Sequence, residues 1–111
     1  GAIQALREEG IAGKVIVTGQ DAELVAVQRI VAGEQAMTIY KPVQKLARQA
    51  AGTAVAMARG RPVVARDTVD NGRTQVPSLL LDVVTVTRDN IEDTVIADGF
   101  HAREDVFQAA R

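Results

Sequence analysis

Two charged residues stand where this chain could most readily build a binding site. Asp21 lies in GQDAE at residues 19–23 and Lys41 in MTIYKP at residues 37–42. A carboxylate accepts hydrogen bonds from two adjacent hydroxyls, and an ammonium donates to as many as three oxygens, so together they suit a polyhydroxylated ligand. Each also has an ordinary structural reading. Asp21 stands one residue before a helical stripe and on spacing alone reads as an N-cap. Lys41, just before Pro42, reads on spacing alone as a solvated loop lysine.

Other reactive groups are poorly placed for catalysis. His101 is the one histidine and lies just past a helix stop, with no nearby Ser, Cys or second His for a triad or a metal site, and is expected at the surface. Glu92 and Asp93 are adjacent carboxylates, but in the first turn of a helix acidic side chains ordinarily serve the macrodipole. Neither GxGxxG nor GxxxxGK[ST] occurs, and a phosphate at the turn after residue 18 would meet Asp21. There is no Cys, so disulfides and thiolate metal sites are excluded. The expectation is a non-catalytic chain without a cofactor or metal.

These groups must be held by a small aliphatic domain. The 111 residues are 47% hydrophobic with only Tyr40, Phe100 and Phe107 as aromatics. A chain of this length buries roughly 65% of its unfolded surface. Thirteen Lys and Arg against fourteen Asp and Glu are interspersed with a net charge of -1, which argues against a nucleic-acid partner. Apolar runs such as residues 79–81 fall far short of the ~20 residues of a membrane-spanning helix.

The spacing of apolar residues gives an α/β pattern. Residues 2–9, closed by Gly10, read as a helix already under way, so an element before Gly1 is expected. KVIVT at residues 14–18 predicts a buried strand of a parallel sheet. Leu24, Val27, Ile30 and Val31 predict a helix ending at Gly33, and residues 37–40 a second strand, which completes a right-handed βαβ unit. Both strands would deliver their exits, Asp21 and Lys41, to one sheet edge, where open α/β sheets collect ligands. Residues 43–59 predict a long alanine-rich helix with Val43, Leu46, Ala50, Ala54 and Met57 or Ala58 inward. A loop around Asn71-Gly72 over residues 66–75 follows, then one extended strand over residues 76–86. Asp89 or Asn90 is expected to cap a helix through Ala97, and the tail from His101 to be a short polar helix or a frayed end.

VTGQDAELVAVQRIVAGEQAMTIYKPVQKLA, followed by DNGRTQVPSLLLDVVTVTRDNIEDTVIADGFH, resembles the C-terminal part of bacterial periplasmic xylose-binding proteins over nearly all the chain. TGQDAE and VPS are also similar to the multiple-sugar-binding protein of plant-associated bacteria. The resemblance implies part of a two-lobed periplasmic binding protein, each lobe a parallel-sheet three-layer α/β sandwich, closing on a monosaccharide such as D-xylose for delivery to the permease subunits of an ABC importer. It implies that residues 1–41 belong to the C-terminal lobe, residues 42–75 to the N-terminal lobe, and residues 76–111 to a strand crossing the hinge and the last helices. Asp21 and Lys41 match positions that hydrogen-bond sugar hydroxyls. A further Asn-Asp-Gly contact segment would lie before Gly1, and the stacking aromatics in the N-terminal lobe.

The resemblance also implies that binding needs both sides of the cleft. The missing lobe, or a second copy exchanging elements with this one, is therefore an expected partner. The competing readings are a fragment that only self-associates, the effector domain of a sugar-responsive repressor, disfavoured by the lack of a basic helix-turn-helix, and an enzyme, disfavoured by the lack of a catalytic pair.

Overall fold

The computed structural model describes residues 1–108. The chain divides into two compact units, Gly1–Lys41 with Val83–Arg111, and Pro42–Asp82.

The first unit opens with α1 (Ala2–Glu8), which buries Ile3 and gives way at Gly10, whose φ of +69° is the left-handed conformation that glycine adopts without a steric penalty. β1 (Thr18–Gln20), α2 (Leu24–Val31) and β2 (Met37–Tyr40) form the expected βαβ unit, with Thr18 paired to Met37 and Gln20 to Ile39 in parallel register. On α2 the stripe expected from the sequence faces inward, for Val27 and Ile30 are buried. β5 (Val84–Val86) joins the other side of β2, antiparallel, giving the order β1-β2-β5. Two short helices complete the cover. A π-helix at Glu92–Ile96 buries Val95, and α4 (Arg103–Phe107) buries Val106. Ala22, Val27, Ile30, Tyr40, Val86, Ile91, Val95 and Val106 make one core. Gln28 Nε2 donates to the Asp105 carbonyl at 2.8 Å and ties α2 to α4.

Three expectations change here. The first strand is residues 18–20 rather than 14–18, because its partner β2 is four residues long and β1 is an edge, which leaves Val15 and Ile16 exposed. Neither Asp89 nor Asn90 caps a helix. Asn90 instead reaches back to β5, its Oδ1 accepting from Thr87 N and its Nδ2 donating to the Thr85 carbonyl. The tail is not merely polar, since Val106 is fully buried on α4.

The second unit contains α3 (Val43–Ala58), within the residues expected, and a hairpin of β3 (Asp67–Asp70) and β4 (Gln75–Ser78). The expected loop is thus this hairpin's turn with one strand on each side. Its Asn71-Gly72 step works as the sequence suggests: Gly72 has φ +83°, and Asn71 Oδ1 accepts from Arg73 N and Thr74 N. The continuous strand expected over residues 76–86 is split into β4 and β5, with an irregular stretch between them that makes no ladder bonds. α3 has no buried residue: Val43, Leu46 and Met57 are exposed. The inward face predicted for it is therefore left unburied among the described residues.

Candidate functional site

β1 and β2 run parallel, β2 extending one residue past the Gln20–Ile39 pair that ends β1, so both strands exit at the carboxyl edge of the sheet. Lys41 Nζ donates to Asp21 Oδ1 at 2.7 Å, with Asp21 exposed and Lys41 half-buried. The anion and cation expected from the sequence do stand side by side.

Asp21 is not the N-cap that its spacing suggests. Glu23 occupies that position, no side chain caps the helix, and Asp21 and Ala22 adopt φ values of 79° and 50°. Two successive non-glycine residues in the left-handed region cost about 1–2 kcal/mol each. An exposed ion pair contributes about 0–1 kcal/mol, which does not offset that cost. The turn is instead imposed by its surroundings. Asp21 N donates to the Ile39 carbonyl at 2.7 Å, and Ala22 N to the Thr38 Oγ1 hydroxyl at 3.2 Å. The Ala22 carbonyl accepts from His101 Nε2 at 2.7 Å. A carbonyl can only accept, so Nε2 carries the proton. Strain held by neighbouring structure in this way is characteristic of binding sites.

His101 is therefore half-buried rather than at the surface, because its ring meets the Ala22 carbonyl and stacks at 4.5 Å, tilted, on Phe100. Phe100 in turn lies 5.0 Å from Tyr40, the residue before Lys41. Burial raises the Tyr40 phenol above its ordinary pKa, and the Asp98 carboxylate adds to the shift. The phenol is accordingly neutral at physiological pH.

Sequence reasoning missed three supporting residues. Thr38 is completely buried and spends its hydroxyl on the turn. Gln35 is buried and donates to the Met37 carbonyl at 3.0 Å. Gly19 leaves room for it, since a Cβ there would lie 2.5 Å from Gln35 Nε2. A polar residue at an inward-facing strand position, as Thr38 is in MTIY, was the available signal. Glu92 and Asp93 lie away from Asp21 in the sequence and serve the π-helix, where Glu92 Oε1 accepts from Arg103. No cluster of three potential metal ligands occurs among the described residues.

The structural and sequence relatives agree. A crystal structure of a carbohydrate transporter solute binding protein from Chloroflexus aurantiacus, in complex with D-glucose, superposes with a TM-score of 0.75 at 43% identity, covering 81% of this chain and 26% of that one. The D-xylose-binding periplasmic protein of Haemophilus influenzae is 49% identical over 107 residues, which is 96% of this chain and 32% of the relative. Its Escherichia coli counterpart is 49% identical over 106 residues with the same coverage. The chain thus spans about a third of the length of the curated relatives it matches. Residues 1–62 match the family model of the periplasmic binding protein domain, which covers most of the site's first unit and the whole of α3. The chain belongs to the periplasmic binding protein family and takes up part of its two-lobed α/β fold.

Proposed function

We propose that this chain supplies one side of a monosaccharide site in a non-catalytic periplasmic protein that hands its sugar, D-xylose or a similar aldose, to the permease subunits of an ABC importer. Asp21 accepts from sugar hydroxyls and Lys41 donates to sugar oxygens. The carrying observation is the 2.7 Å Asp21–Lys41 pair, presented at the strand ends on a turn whose strain the pair itself does not offset. The relatives' names, which specify xylose and glucose, support the ligand class.

In this reading residues 1–41 belong to the C-terminal lobe, residues 42–75 to the N-terminal lobe, and residues 76–111 return the chain through the hinge to its last helices. The division of the structure after Lys41 supports the first boundary. The opposite wall of the cleft comes from the remainder of the two-lobed fold, because a pyranose needs an apolar face as well as hydrogen bonds.

Calorimetric titration of D-xylose into this chain, beside Asp21→Ala and Lys41→Ala, is the test. Saturable heat that disappears in both variants is expected where a complete cleft forms. Heat that survives in both would remove the pair from the site. If the chain gives no heat, the two substitutions are read in a longer protein that carries this sequence and the opposite wall.

One observation favours a second reading, a chain that self-associates without binding sugar. Leu46, Ala50 and Met57 on α3 line an open apolar groove with Val63, Leu79 and Leu81, all within the second unit. Sedimentation that shows a concentration-dependent dimer, together with no response to sugar, would establish it in place of the first.

A further inference from the structure

We propose that Phe100 and His101 form a clamp that positions both members of the Asp21–Lys41 pair, which makes His101 a positioning residue of the site; this rests on the sugar-binding reading above. The clamp touches each arm separately. His101 Nε2 donates to the carbonyl of Ala22, inside the left-handed turn that aims Asp21. Phe100 packs on the ring of Tyr40, immediately before Lys41, and on His101 itself. One dipeptide, far away in sequence, therefore contacts the exits of both strands.

The segment is well anchored for the task. It follows the π-helix at Gly99, whose φ is +67°, and both Phe100 N and His101 N donate to the carbonyl of Val95, a fully buried residue. A rigid donor that fixes the carbonyl of a strained turn removes alternative conformations of Asp21 before the ligand arrives, which lowers the ordering cost of binding. The Ala22 carbonyl would otherwise sit at the edge of the core with its nearest side-chain donor gone, and the turn would have one fewer bond opposing its relaxation to ordinary backbone angles.

The experiment compares His101→Leu with His101→Gln, whose side-chain amide also presents an Nε2 donor, in two measurements. In the first, amide hydrogen exchange is followed residue by residue on this chain. His101→Leu is expected to speed exchange of the Asp21 and Ala22 amides by about ten-fold, the scale of one lost hydrogen bond, with Val27 and Ile30 unchanged and His101→Gln near the parent. Unchanged rates at residues 21 and 22, or equal acceleration throughout α2, would overturn the clamp. In the second, D-xylose is titrated into the sugar-binding form. His101→Leu is expected to weaken binding by about ten-fold and His101→Gln by less than about two-fold. An equal loss in His101→Leu and His101→Gln, or no loss in His101→Leu, would show that the donated bond does not position the site and overturn the proposal. If the parent protein binds no sugar, the functional reading fails while the exchange measurement still decides whether the clamp exists.

Discussion

The two units of the chain use apolar residues to opposite effect. In Gly1–Lys41 with Val83–Arg111, three short strands are met by α2, the π-helix and α4, and the core residues Val27, Val86, Val95 and Val106 are fully enclosed. In Pro42–Asp82, which holds the alanine-rich helix and the Leu79–Leu81 run, no residue is buried among the described residues. Composition does not make that difference. A helical stripe is stabilised mainly by what packs against it, and a two-stranded hairpin alone is marginal. The first unit brings apolar faces together and the second displays them, so folding stability and the candidate site reside in the same unit.

Substitutions of equal chemistry in the two units should therefore differ most of all. Ile30→Ala is expected to destabilise by ~2–5 kcal/mol, because Ile30 is buried. Met57→Ala, at an exposed position of α3, should change stability by less than ~0.5 kcal/mol. Chemical denaturation followed by circular dichroism gives both values, and equal losses would mean that the second unit has a cover in solution. Next in size is Ala22→Val, which forces a β-branched side chain into a left-handed, completely buried position and should cost ~2–3 kcal/mol in the same assay. Gly19→Ala should cost ~1 kcal/mol, since its Cβ displaces the Gln35 amide from the Met37 carbonyl. Stability unaltered by Gly19→Ala would show that Gln35 re-forms its bond elsewhere.

The smallest effects are those of pH. Glu34 is held below its ordinary pKa, first by the hydrogen bond from Arg7 and further by that residue's charge. A lowered folded pKa gives stability that is present above the unfolded glutamate value and lost as pH falls through the folded one. Glu34→Gln should flatten that acid limb slightly. Tyr40 has the opposite sign: its raised pKa gives stability that is full below about pH 10 and lost at higher pH, as the unfolded phenol ionises first. Because Tyr40 is the single tyrosine, an ultraviolet titration reads it directly. Ionisation at the free-tyrosine value in the folded protein would contradict the burial described for it.

Much of the first unit was legible in the sequence. Leu24, Val27, Ile30 and Val31 fixed the face of α2, and the order strand, helix, strand placed Asp21 and Lys41 together. The exit residues were legible because parallel strands share a direction, which makes their ends neighbours without any knowledge of packing. What escaped was non-local. KVIVT has every local mark of a strand, yet pairing stops where β2 stops. The run at residues 76–86 reads as one strand because periodicity carries no information about which partner each half will find. His101 could not be distinguished from a surface histidine, since its acceptor lies at Ala22, far back along the chain, and exists only in an unusual backbone conformation. The face of α3 expected to point inward is exposed instead, because pattern states what a helix would bury and not whether a neighbour is present.

Tyr40 is paired with Val84 in the antiparallel ladder of β2 and β5. The second unit therefore departs from and rejoins the first at directly opposed residues, whose Cα atoms in such a ladder are only about 5 Å apart. Seen from the sheet, all of Pro42–Asp82 is a hairpin connection of exceptional size. Such a module can be exchanged without altering the strands that bracket it: a two-residue Asn-Gly turn closes the same gap, and closure entropy changes only slowly with connector length. Excision would leave a minimal scaffold that retains β1, β2 and β5 and still displays Asp21, and on which a different partner surface could be grafted.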